Sequence, residues 1–197
     1  MYKVGITGGI GSGKTSVCKV FETLGIPVYY ADTRAKQLMN TDIELKAELE
    51  GYFGKGIYVD EMLDRGKLAE IIFNDPASLE KVNYWVHPAV ARDFECWCNL
   101  QTSQYVLEEA AIIFETGLAQ RFDQIILVIA PEPVRIERVC TRDHVSPEIV
   151  RKRMDNQWQE DKKMALADYI IYNDNEQSII TQVIKIHKDI ISNQFSN

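Results

Sequence analysis

Short apolar runs mark both ends of this chain, and a helical spacing of apolar residues fills its middle. Tyr2 to Thr7, Pro27 to Ala31, Gln104 to Glu109, Gln124 to Ala130 and Tyr169 to Tyr172 are compact stretches, mostly apolar, that read as strands. Thr15 to Leu24, closed by Gly25, and Ser178 to Ser192 read as helices. Buried strands separated by helices predict a parallel sheet of five strands covered on both faces. From Asp32 to about Thr102 the period changes to three and four: Leu45, Leu49, Tyr52 and Phe53, then Leu68, Ile71 and Ile72, then Leu79, Val82 and Val86. Several helices are therefore inserted between the second and third strands. Asp75-Pro76 starts one of them, and His87-Pro88 is expected to end that run and begin the next. A second, polar helical insert runs from Arg135 to about Lys163. Without repeats or low-complexity linkers, the 197 residues read as one domain. Its core is roughly 1–31, 103–134 and 166–197, with inserts at about 32–102 and 135–165.

Composition narrows the class. Hydrophobic residues make up 46% and charged residues 26%, enough to bury a core. A net charge of -7 argues against nucleic acid as a partner. The longest apolar stretch, Ile125 to Ala130, has the length of a buried strand, so no membrane span is expected. The start runs directly into a glycine-rich loop, which argues against a secretory signal. Cys18, Cys96, Cys98 and Cys140 then read as reduced thiols of a cytoplasmic protein, because C-x-C alone is a poor zinc signal. Oligomeric state is not legible.

The strongest chemical signal is Gly8-Gly9-Ile10-Gly11-Ser12-Gly13-Lys14-Thr15, which fits G-x-x-x-x-G-K-[ST] between a strand and a helix. Glycines let the backbone curl towards an anion, and the curled N–H groups with the helix N-terminus attract phosphate oxygens. Lys14 supplies a charge to the β- and γ-phosphates of ATP, Thr15 a hydroxyl to Mg²⁺, and Ser16 a contact near the α-phosphate. The chain has no N-K-x-D guanine motif and no L-S-G-G-Q, which favours a small-molecule kinase over a GTPase or an ABC-type ATPase. Asp32 follows the second strand, where ligands of parallel sheets bind. It suits a general base and Mg²⁺ ligand, and equally an N-cap for the segment from Thr33. Glu108 and Glu109 end the third strand, and either suits a magnesium-bound water. Arg138 and Arg142 share a helix face in the second insert, as phosphate contacts or as a solvated face paired with Glu132 and Glu137. A segment carrying them would exclude water when it closes.

These residues, taken in order, resemble the dephospho-coenzyme A kinase family over essentially the full length. The resemblance rests on Ile6-Thr7-Gly8-Gly9-Ile10-Gly11-Ser12-Gly13-Lys14, Ala31-Asp32, Leu63-Asp64-Arg65-Gly66-Lys67-Leu68, Ile72-Phe73, Val86-His87-Pro88 and Ile113-Phe114-Glu115. Further matches are Arg138, Arg142, Arg153, Gln157, Lys163, Ala167-Asp168 and Asn173. It implies a P-loop NTPase-type fold with a helical acceptor-binding insert and a helical lid. It also implies phosphorylation of the ribose 3′-hydroxyl of dephospho-coenzyme A by ATP, the last step of coenzyme A synthesis. On that resemblance Asp32 is the general base, Arg65 and His87 shape the acceptor site, Arg142 acts from the lid, and Asn173 borders the adenine. Three positions depart from the family pattern: Ala111 for Pro, Arg135 for Gln, and Asn175 for Gly in the adenine loop. Two rivals remain: a kinase acting on a nucleoside monophosphate, and a nucleotide-dependent regulatory protein that transfers nothing.

Overall fold

The structure is a computed structural model and describes residues 1–194. Two compact units divide the chain, one formed by Met1–Tyr30 with the segment from Gln101 onward, the other by Ala31–Leu100.

The first unit holds the expected parallel sheet. Its strands are β1 (Tyr2–Thr7), β2 (Val28–Tyr30), β5 (Tyr105–Glu109), β6 (Gln124–Ile129) and β7 (Tyr169–Tyr172), in the spatial order β2-β5-β1-β6-β7. All pairings are parallel, and β1 lies at the centre with Ile6 opposite Glu109 on one side and Ile126 on the other. Helix α1 (Lys14–Thr23) and helix α9 (Ile179–Gln194) cover one face. Val17, Cys18 and Phe21 of α1 and Val183, Ile186 and Ile190 of α9 join Val4, Ile6, Leu107 and Val128 in one core. Helix α1 ends sharply because Gly25 is left-handed, at φ 81°. The N–H groups of Gly25 and Ile26 return to the carbonyls of Glu22 and Phe21 at 3.0 and 3.1 Å, and Ile26 and Phe21 share that core. Beyond β6 come α6 (Glu132–Asp143), α7 (Pro147–Asp155) and α8 (Glu160–Met164). Edge strand β7 is closed by Gln182, whose amide accepts from Tyr172 N–H at 2.9 Å and donates to Tyr172 O at 2.8 Å.

The second unit is helical: α2 (Ala31–Thr41), α3 (Ile43–Phe53), α4 (Arg65–Asn74) and α5 (Pro76–Cys98), with a two-residue hairpin of β3 (Tyr58–Val59) and β4 (Met62–Leu63). Asp42, Asp64 and Asp75 cap α3, α4 and α5 through the N–H groups of Leu45, Lys67 and Ala77. Arg34 grips Asp93 with two hydrogen bonds, 2.8 and 2.6 Å, joining α2 to α5. The expected break at His87-Pro88 is absent, since α5 runs through it for 23 residues. Pro88 is exposed, while Val82, Val86, Ala89, Val90 and Phe94 bury one continuous stripe on either side. A proline on the solvent face forfeits one hydrogen bond, and water can reach the freed carbonyl. The hairpin was not expected, because two residues per strand are too few to show a period.

Candidate active site

The glycine-rich loop leaves the carboxyl end of β1 and turns into α1. Gly13 occupies the N-cap position with left-handed backbone, φ 90° and ψ 26°. A side chain there would also overlap the amide of Asn173, so the residue must be glycine on both counts. The turn is closed by Ser12 N–H to Gly9 O at 3.1 Å and Ser16 N–H to Gly13 O at 3.0 Å. Lys14 folds back over it. Its Nζ donates to Gly8 O at 3.0 Å and lies 3.9 Å from Glu109 Oε1. The hydroxyls of Thr7 and Ser12 are buried at the base of the loop without a hydrogen-bond partner. Thr15 and Ser16, in the first turn of α1, are exposed.

The loop is gripped from two directions. Asn173 follows β7, and its Nδ2 donates to Ser12 O at 2.8 Å. Arg138 of α6 reaches the same place: its Nη2 donates to Asn173 O at 3.2 Å, Asn173 Oδ1 at 3.3 Å and Asn175 Oδ1 at 2.9 Å. On the other side Ile10 packs onto a small core of Ile136, Val139 and Val150 in α6 and α7. Ile10 N–H donates to Gln157 Oε1 at 2.8 Å, and Arg135 Nη1 packs onto Gly9. An open cavity of about 410 Å³ is lined by Gly9, Leu127, Arg135, Gln157 and Lys163 among others. Behind it Lys163, only 2% exposed, pairs with Glu115 at 2.5 Å, and Glu115 Oε1 also accepts from Trp158 N–H at 3.2 Å.

Lys14, Gly8, Gly9, Gly11, Ser12, Gly13, Arg138 and Asn173 are thus gathered in one place. Arg142, one turn beyond Arg138, is exposed and turned onto Asp143, with hydrogen bonds of 2.7 and 3.2 Å. Arg153 reaches the same carboxylate at 2.8 Å, and the two cations hold it down at a pKa of about 2. Of the two strand-end glutamates, Glu109 is the one beside Lys14. In the second unit Asp32 lies in the first turn of α2, two residues after β2 ends. Arg65 donates to Lys36 O at 3.2 Å, and burial pushes the half-buried His87 below its ordinary pKa. Gln157, matched above on the lid pattern, and Arg135 and Asn175, noted there as departures from the family pattern, also reach the loop or the arginine beside it. No local spacing marks them, and Gln157 meets its partner 147 positions away.

Known proteins resemble this chain over most of its length. The family model described as dephospho-CoA kinase matches residues 2–178. A dephospho-CoA kinase of Porphyromonas gingivalis is 40% identical over 187 residues, 94% of this chain and 93% of that protein. One of Bacteroides fragilis is 34% identical over 185 residues, 93% and 90% of the two chains. A crystal structure from Thermus thermophilus superposes with a TM-score of 0.85 at 30% identity, covering 95% and 96%. Because the likeness runs over residues 2–178, far beyond the glycine-rich loop, the chain belongs to the dephospho-CoA kinase family.

Proposed function

We propose that the chain transfers the γ-phosphoryl group of ATP to the ribose 3′-hydroxyl of dephospho-coenzyme A, giving coenzyme A and ADP. The observation that carries this reading is the amide-lined loop of β1–α1, with Lys14 folded over it and Glu109 alongside, in a chain of this family. The loop amides and the N-terminus of α1 bind the triphosphate, and Lys14 exchanges Gly8 O for phosphate oxygens. Arg138 Nη1, buried and without a partner in the protein, adds a charged donor beside the loop. Asp32 orients the acceptor hydroxyl and takes its proton, while Arg65 and His87 shape the acceptor site. Arg142 leaves Asp143 when the segment 135–165 closes as a lid, and then neutralises charge on the transferring group.

The donor chemistry of the residues assigned to it suits Mg²⁺. The Thr15 hydroxyl and the carboxylates of Asp32 and Glu109 are hard oxygen donors, and no group of three or more metal-ligating side chains occurs among the described residues. Mg²⁺ suits such sparse sites, because phosphate oxygens and water complete its shell. Thr15 and Asp32 would hold it, with Glu109 on a bound water, and the ion would supply charge neutralisation to the triphosphate. The test is incubation with ATP, MgCl₂ and dephospho-coenzyme A, with the product mass measured. One phosphoryl group gained by the acceptor is expected. ADP release that ignores this acceptor, or that follows a nucleoside monophosphate instead, sinks the proposal.

A further inference from the structure

We infer that Asn175 is a positioning residue for the nucleotide site: its side-chain oxygen holds the guanidinium of Arg138 so that the free arm stays aimed at the phosphate loop. The inference rests on the functional proposal above, in which Arg138 meets the bound nucleotide. Arg138 uses one nitrogen for all its protein contacts. Nη2 faces three oxygens, and the shortest contact, 2.9 Å, is to Asn175 Oδ1; the two to Asn173 are 3.2 and 3.3 Å. Nη1 has no partner, is buried, and lies 3.7 Å from where a side chain on Gly13 would begin. One end of the fork is therefore satisfied and the other is left over the last glycine of the loop.

Asn173 does not suffice for this. Its amide nitrogen is committed to Ser12 O at 2.8 Å, which fixes where its oxygen points and leaves the longer contacts to Arg138. Asn175 is itself held firmly. It sits in left-handed backbone at φ 70°, which Asn tolerates better than other side chains. The preceding Asp174 accepts from the N–H groups of Glu176 and Gln177, both at 2.9 Å, and so pins the turn. A long side chain that is already ordered spares the ligand the entropy of ordering it. Asn175 therefore acts on ATP affinity through Arg138, without touching the reacting atoms.

The backbone makes the test unusually clean, because glycine is at ease at this φ and Asn175→Gly removes the acceptor while keeping the turn. The Asn175→Gly variant is expected to raise KM for ATP roughly fivefold, the order for one charge-assisted hydrogen bond at a partly exposed site. Its kcat should stay within about twofold and its melting temperature within about 2 °C of the parent. Asn175→Asp, which keeps the acceptor, should restore the parent KM. In an Arg138→Met background Asn175→Gly should add nothing. An unchanged KM in Asn175→Gly overturns the inference, and so does an equal rise with or without Arg138, or failure of Asn175→Asp to rescue. If the unmodified enzyme turns over ATP with dephospho-coenzyme A, such a result counts against Asn175 alone; if it does not, the functional proposal falls and this inference with it.

Discussion

Replacing Lys163 by methionine isolates the worth of a buried charge. Lys163 is 2% exposed and Glu115 11%, and the ammonium approaches Glu115 Oε1 to 2.5 Å. Methionine keeps the apolar stem and its packing, so the change removes little but the charge. Glu115 would then retain only Trp158 N–H at 3.2 Å on Oε1, while Oε2 has no hydrogen-bond partner. Removing one member of such a pair costs about 3–5 kcal/mol, because the other charge stays buried and uncompensated. For a chain of this size 1 kcal/mol moves the melting temperature by about 2–4 °C, so Lys163→Met should lower it by about 6–20 °C. Urea and thermal melts followed by circular dichroism read this directly. The double variant Lys163→Met with Glu115→Gln removes both charges and should recover most of the loss. A single variant within about 1 kcal/mol of the parent, or a double variant no better than the single, would refute the reasoning.

Three shorter predictions concern the site and the sheet. Asp32→Asn should lower kcat by about 10²- to 10⁴-fold while the calorimetric affinity for ATP stays within about twofold; parental turnover would remove Asp32 from the base role. Gly13→Ala places a side chain in left-handed backbone against Asn173, so titration calorimetry should find ATP binding lost, and intact binding would contradict the close approach. Burial lowers the pKa of His187, whose Nδ1 pairs with Tyr105 Oη at 2.8 Å, and burial raises that of Tyr105, which keeps its proton. A depressed histidine contributes stability that is full above its unfolded pKa of about 6.5 and is lost as pH falls through the folded value. The melting temperature should therefore drop between about pH 7.5 and 5.5, with a shallower drop in His187→Gln; identical slopes would clear His187.

What the sequence disclosed followed the range of the interactions involved. The phosphate loop was legible because its glycine spacing is a local backbone requirement, met within eight residues. The strands were legible because β1, β5 and β6 are largely buried and so mostly apolar, and the shorter β2 and β7 share that composition. Pro88 misled because the rule for proline is local, whereas the buried stripe of α5 holds the helix together from both sides. Which of Glu108 and Glu109 stands beside Lys14 needed the register of β5 on β1, since neighbouring strand residues face opposite ways. Arg138 and Arg142 were rightly placed on one helix, yet the adjacent carboxylate of Asp143 holds Arg142 while Arg138 reaches the loop. Asn175 and Gln157 acquire their partners through tertiary structure alone.

The bond from Asn173 to Ser12 ties residues 161 positions apart. The phosphate loop is spelled out in the first fifteen residues, yet the strands flanking β1 and the amide that steadies its turn come from much later in the chain. During synthesis, then, a nascent polypeptide halted anywhere short of β7 carries the complete motif but lacks its finished cradle. The finished cradle is therefore a late event on the ribosome, and a truncated product lacks the Asn173 amide that steadies the loop.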